Sequence, residues 1–249
     1  MDVTPFSLLG KKILVTGASS GIGQATAIAC ADMGADVILT ARSEERLYET
    51  KTLMATGNHR IICADLTVDS DIESIVSTLE QIDGIVLCTG KGLTLPVQFS
   101  TRDKFDEIFD VNFFAPIELL RSLYKKKKIN KGGSAVAISS LGGTKIFSGT
   151  NSIYGSSKAA LRSIMKYCAK EFAPRKIRVN CICPGMVDTP LIHRGTVSEE
   201  QLKEDMNRYP LKRYGTPSEI AYAAVYLLSD VSAWMTGQDL ILDGGISIS

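Results

Sequence analysis

The residue types best suited to chemistry lie in one stretch, Ser139-Ser140-Leu-Gly-Gly-Thr-Lys-Ile-Phe-Ser-Gly-Thr-Asn-Ser-Ile-Tyr154-Gly-Ser-Ser-Lys158. Tyr154 and Lys158 open an apolar-periodic segment formed by Ala159, Leu161, Ile164, Met165 and Cys168. On a helix, their spacing sets a phenol and an ammonium on one face, a turn apart. A free phenol has a pKa of about 10 and is a poor base at neutral pH. A fixed positive charge nearby favours phenolate and brings the group toward acid–base work. Ser140, arriving from a strand end, could hold a substrate oxygen beside that phenol. An amphipathic helix with a surface Tyr and Lys has the same spacing, so the surrounding elements must decide.

Those elements alternate. Apolar runs predict strands at 12–16, 36–40, 60–63, 84–87, 135–139, 178–182 and 239–242. Helices are predicted at 21–33, 43–55, 70–79, 102–127, from Tyr154 onward, and at 217–228, with a looser region at 189–209. Short apolar strands separated by helices imply a parallel sheet covered on both faces. The predicted class is α/β, one doubly wound Rossmann-type domain over residues 1–249. At 249 residues the chain can bury a single large core.

A net charge of +1 provides no field to favour nucleic acid or an anionic membrane, and no apolar run has the length of a membrane span. The N-terminal patch before Lys11 is too short for a signal peptide, which predicts a cytoplasmic protein. The six cysteines contain no C-x-x-C pair and read as reduced, mostly buried thiols. Neither His59 nor His193 has ligand spacing with a cysteine, so no metal site is predicted.

The first strand–helix junction reads Thr16-Gly17-Ala-Ser19-Ser20-Gly21-Ile22-Gly23. Its glycines permit a tight turn, and the helix start offers free N–H groups to a phosphate. The spacing is G-x-x-x-G-x-G rather than the general G-x-G-x-x-G. The second strand ends Thr40-Ala41-Arg42-Ser43. An acid there would hold the ribose 2′-hydroxyl of NAD, whereas an arginine suits the 2′-phosphate of NADP. Ala41 in place of the acid removes a repulsive partner for that phosphate. The cofactor is therefore predicted to be NADP(H).

Together these motifs resemble the short-chain dehydrogenase/reductase family over essentially the whole chain. The resemblance rests on Thr16-Gly17-x-x-x-Gly21-x-Gly23, Asp65-Leu66, Asn112, Ser140, Tyr154-x-x-x-Lys158 and Pro184-Gly185-x-Val187-x-Thr189. Arg213-Tyr-Gly-Thr-Pro-Ser-Glu-Ile-Ala and Leu242-Asp-Gly-Gly point toward the 3-oxoacyl-(acyl carrier protein) reductase-like branch. The family implies hydride transfer between nicotinamide and a carbonyl carbon. Tyr154 would be the general acid in reduction and the base in oxidation. Lys158 would lower its pKa and hold the nicotinamide ribose, while Ser140 would hold the carbonyl, with Ser139 as its alternative. Asn112 would support a proton-relay water. Asp65 and Leu66 would meet the adenine, Gly90 would approach the cofactor, and Val187 and Thr189 would hold the carboxamide after the Pro184-Gly185 turn. The substrate would be a small ketone or secondary alcohol, free or carrier-linked, under a lid near 189–209, in a homotetramer.

Hydroxysteroid, polyketide and sugar ketones are alternative substrates, and a catalytically silent NADP-binding sensor or scaffold is the reading from another class. The family's Asn-Asn-Ala-Gly after the fourth strand is here Leu87-Cys88-Thr89-Gly90, so the hydrogen bond that braces the sheet centre must be absent or replaced. The lysine run 125–128 suits a solvated helix end. Lys131 and Arg175 also match basic positions that would receive an acidic carrier.

Overall fold

The apolar run Ile13-Leu14-Val15 forms the buried middle of strand β1 (Lys12–Thr16). Its neighbours point alternately to two sides, as side chains of a strand must. Ile13 and Val15 join one core cluster, and Leu14 joins another. The same division runs through β2 (Asp36–Ala41), β4 (Ile82–Leu87), β5 (Ile129–Ile138) and β6 (Arg178–Pro184). With β3 (Arg60–Cys63) and β7 (Asp239–Leu242), they make a sheet ordered β3-β2-β1-β4-β5-β6-β7. Every pairing is parallel. This is a doubly wound Rossmann-type sheet, as the alternating pattern predicts.

The protein is described by a computed structural model covering residues 5–193 and 198–248. One sheet face is covered by α1 (Gly21–Asp32), α2 (Glu44–Thr52) and α9 (Pro217–Leu228). α1 and α9 pack together, and their Ala27, Ala31, Ala221 and Ala224 are all buried in this cluster. The other face carries α3 (Asp69–Thr78), α5 (Ala115–Lys125) and α6 (Ser152–Phe172). Where β1 and β4 end, the strand order reverses direction along the sheet. A crevice at that point is the expected ligand site of an open α/β sheet.

Three elements differ from the sequence expectation. The single helix predicted over 102–127 is α4 (Arg102–Phe109) and α5 joined by a π-helical turn, Asp110–Phe114. Pro116 has no N–H for the carbonyl four residues back, that of Asn112, and its ring crowds that carbonyl. The helix relaxes there without ending, a distortion that hydrophobic periodicity does not register. β5 starts at Ile129 rather than 135, with a register shift between Ile82↔Ile129 and Gly84↔Ser134. Gly132, at φ 85°, occupies the irregular part and masks the strand signal. Finally, the looser region contains α7 (Pro190–His193) and α8 (Glu199–Met206). Residues 194–197 of the expected lid lie outside the described residues.

Cys30, Cys181 and Cys183 are buried, Cys88 and Cys168 are half-buried, and Cys63 is exposed. Burial pushes Cys30 up to about 12 and Cys183 up to about 11. Among the described residues, no helix is long and apolar enough to cross a membrane. No group of three or more His, Cys, Asp or Glu among them could hold a metal.

Candidate active site

The C-terminal ends of β1, β2, β4, β5 and β6 open onto one cleft of about 1600 Å³. Its walls include Gly17, Ser19, Ser20, Gly21, Ile22 and Gly23 from the first turn, and Arg42, Asp65, Leu66 and Gly90 from the next strand ends. Ser140, Tyr154, Lys158, Pro184, Gly185, Val187 and Thr189 line the same cleft. Residues far apart in the chain are thus brought onto one surface. Asn112 is the exception, fully buried behind that surface.

The glycine-rich turn is shaped for close approach. A Cβ on Gly23 would lie 2.2 Å from the Gly17 carbonyl oxygen, and one on Gly17 would lie 2.7 Å from that of Cys88. Gly17 and Gly21 adopt φ of 65° and 55°, where a side chain is strained. The start of α1 has no side-chain cap on its N–H groups and no acidic residue in its first turn. A phosphate there meets donors and a favourable dipole. These features fit a dinucleotide.

α6 positions the reactive pair. The Tyr154 hydroxyl is hydrogen-bonded to Ser140, whose Oγ also accepts from the Gly142 amide at 3.0 Å. Ser139, the alternative serine, is buried and donates to the Lys158 carbonyl at 2.9 Å. Ser140 is therefore the serine that meets the phenol. Lys158 is 3% exposed, and its Nζ donates to the Ile138 carbonyl at 3.0 Å and the Thr89 carbonyl at 3.3 Å. An ammonium has three donors, so one is left for a ligand in the cleft. Burial pushes Lys158 down to about 8.

Tyr154 is also shifted by its surroundings. Its pKa is raised above 10.0, mainly by burial, although the Ser140 hydrogen bond opposes this. The Lys158 ammonium is spent on two carbonyls and does not offset the desolvation of the phenol. Asn112 is held by its neighbours. Its Oδ1 accepts from the Lys91 amide at 2.7 Å, while Nδ2 donates to the Lys91 carbonyl and to Ser157 Oγ, each at 3.0 Å. Both amide hydrogens are used, so the side chain ties the loop after β4 to α6.

The missing brace after β4 is replaced from β1. The Cys88 amide donates to Thr16 Oγ1 at 2.8 Å, and the Thr16 hydroxyl donates to the Val86 carbonyl at 3.3 Å. Thr16 was legible only as the first letter of the glycine motif. Thr89 contributes no such bond: its hydroxyl is buried without a partner among the described residues.

One further part escaped sequence reading, and another entered it only as a family motif. Tyr209 and Tyr214 meet edge to face at 5.6 Å and line the cleft. Tyr209 Oη accepts from the Met186 amide, and the single Tyr214 hydroxyl proton is shared between Asp205 Oδ2 at 3.0 Å and the Leu202 carbonyl at 3.1 Å. Around them Leu202, Met186 and Ile192 form a small separate core. The segment Arg213–Glu219 clamps the loop after β6. Gly215 bonds Met186 and Asp188 through its backbone, and Arg213 grips Glu219 with two bonds of 2.8 and 2.6 Å. That pairing holds the Glu219 carboxyl down to about 2.

The chain belongs to the short-chain dehydrogenase/reductase family, whose members are oxidoreductases that use nicotinamide cofactors. The family profile described as Enoyl-(Acyl carrier protein) reductase matches residues 17–247. Among curated relatives, dehydrogenase/reductase SDR family member 6 of Xenopus laevis is 33% identical over 243 residues, covering 96% of this chain and 98% of that protein. The 3-oxoacyl-(acyl-carrier-protein) reductase FabG of Rickettsia prowazekii is 32% identical over 240 residues, covering 96% and 98%. Among solved structures, the Pseudomonas aeruginosa RhlG/NADP active-site complex superposes with a TM-score of 0.91 at 28% identity, over 99% of this chain and 100% of that one.

Proposed function

We propose that the protein is an NADP(H)-dependent oxidoreductase that interconverts a ketone and a secondary alcohol. The observation that carries this reading is the convergence of Tyr154, Ser140 and Lys158 on the cleft that also holds the glycine-rich turn and Arg42. Bound there, the nicotinamide cofactor supplies a hydride to the carbonyl carbon or takes one back. Ser140 and Tyr154 hold the substrate oxygen, and the phenol donates its proton as negative charge develops there. The buried phenol holds its proton at neutral pH, ready to be donated. The free donor of Lys158 holds the ribose, and Asn112 fixes the loop after β4 against α6. Asp65 and Leu66 flank the adenine, with Val187 and Thr189 at the carboxamide.

For the cofactor, Arg42 at the end of β2 and Ala41 beside it favour a 2′-phosphate. For the substrate, a free small molecule fits better than a carrier-linked one. Arg175, one of the two residues expected to receive a carrier, is half-buried. It donates to the Ile129 carbonyl at 2.6 Å and lies over the Tyr124 ring. Lys131 alone remains exposed. Over the cleft, α8 reads Glu-Glu-Gln-Leu-Lys-Glu-Asp-Met, an acidic lid that repels an acidic carrier. The homotetramer rests on family membership. Six unbridged cysteines accord with a cytoplasmic setting.

The test is turnover of NADPH against a panel of free 3-oxoacyl thioesters, steroid, polyketide and sugar ketones. Oxidation of NADPH by one class and not the others identifies the substrate. Tight NADPH binding with no turnover on any member returns the protein to the sensor or scaffold reading.

A further inference from the structure

The nucleotide end of the cleft holds a second arginine that has no part in the reading so far. Arg46, in the first turns of α2, is exposed and lines the same cleft as Arg42 and Asp65. Among the described residues the ion pair at this end joins Arg42 to Asp65, at 3.9 Å, and Arg46 has no carboxylate partner. Glu44 and Glu45, its neighbours in the chain, do not line the cleft.

The charges then decide how a 2′-phosphate can be held. A phosphate monoester carries about −1.5 to −2 at neutral pH. Asp65 contributes one more negative charge to the same pocket, and Arg42 is shared with it. Arg42 and Asp65 together are close to neutral, so Arg42 alone leaves little net attraction for the phosphate. Arg46 supplies the missing cation. Its helix is also fixed to the phosphate-binding turn: Thr50 Oγ1 donates to the Ala18 carbonyl at 2.9 Å and accepts from Gln24 Nε2 at 3.0 Å. Thr50 is one helical turn beyond Arg46 and shares its one hydroxyl proton between the Ala18 and Arg46 carbonyls, so the guanidinium is carried on a mount tied to the glycine-rich loop.

We propose that Arg46 and Arg42 form a two-cation clamp for the cofactor's 2′-phosphate, with Arg42 balancing Asp65 and Arg46 supplying the net charge. The inference rests on the NADP(H) reading of the cofactor. A planar guanidinium can grip a phosphate with two bonds, which a lysine cannot reproduce.

The experiment is calorimetric titration of the full chain and its Arg46→Gln, Arg46→Lys and Arg42→Gln variants with 2′,5′-ADP, 5′-AMP, NADPH and NADH. Arg46→Gln is expected to weaken 2′,5′-ADP and NADPH by about ten-fold, allowing for solvent screening at an exposed site. Binding of 5′-AMP and NADH should stay within about two-fold, which also shows that the fold is intact. Arg46→Lys should recover part of the loss, and the salt dependence of 2′,5′-ADP binding should flatten in Arg46→Gln. If the unaltered protein binds NADH as tightly as NADPH, the cofactor reading itself falls. If it prefers NADPH and Arg46→Gln keeps that preference, the clamp is refuted while the cofactor reading stands.

Discussion

The two ends of the cleft are built by different means. At the nucleotide and catalytic end the parts are backbone turns and buried groups. Gly23 presses on the Gly17 carbonyl, Thr16 bridges to the end of β4, and Lys158 is locked under two carbonyls. At the substrate end the parts are side chains of a separate small core, Tyr209, Tyr214 and Leu202, with exposed charges around them. A backbone-built site tolerates few alternatives and therefore has fixed spacing. A side-chain-built site can be assembled from many sequences. On the proposed function, the first end would fix the reaction and the second would select what enters.

Perturbing each end in turn should show that division. The largest effect is expected for Tyr154→Phe, which keeps the ring and removes the proton. Turnover should fall by about 10²–10⁴, the range for loss of general acid catalysis. NADPH affinity should be unchanged, and steady-state kinetics with direct cofactor titration would show both. Near-normal turnover would remove Tyr154 from the mechanism.

Lys158→Met should act on cofactor and fold in opposite directions. Its folded-state pKa of about 8 lies below the ordinary 10.5, so the buried ammonium weakens the fold at neutral pH. The unfolded chain binds more protons between these two values, and stability should rise with pH across that window. In the Met variant that rise should vanish, while NADPH affinity falls about ten-fold or more. In the unaltered protein, cofactor affinity should itself weaken as pH climbs through about 8. Thermal melts and titrations across pH measure both, and a flat affinity profile would contradict the ribose role.

Thr16→Val should cost about 1–3 kcal/mol of stability, since the Cys88 amide and the Val86 carbonyl lose a buried partner. Chemical denaturation would read it, and a neutral result would show that the sheet centre needs no brace. The smallest effect belongs to the lid. Tyr214→Phe loses its bonds to Asp205 and Leu202 but keeps the aromatic contact. KM for the substrate should rise a few-fold, with NADPH affinity unchanged and stability reduced by about 1 kcal/mol. A change in NADPH affinity of equal size would erase the distinction between the two ends.

The same division explains what could be read from the sequence. Tyr154, Lys158 and the glycine turn are legible because helix and turn geometry demand set spacings, and the apolar strand runs give the sheet directly. Three things are not written in spacing. The pKa of Tyr154 depends on burial from several elements, and it moves upward where a lysine one turn away suggests the reverse. The fate of the Asn112 amide depends on Lys91 and Ser157, which are remote in the chain. The replacement of the sheet brace needs knowledge that Thr16 stands opposite the end of β4. Tyr209 and Tyr214 line the cleft through tertiary packing, which no local pattern around them records.

The distribution of the cysteines has a practical consequence. Burial raises the thiols of Cys30, Cys88, Cys168, Cys181 and Cys183, which slows their attack on alkylating reagents. Cys63 stands apart, exposed at the end of β3, with its sulfur 3.3 Å from the Arg42 carbonyl oxygen. The chain therefore carries its own attachment point for a dye, at the rim of the nucleotide pocket. A fluorophore placed there without any mutagenesis would sense whether that pocket is filled.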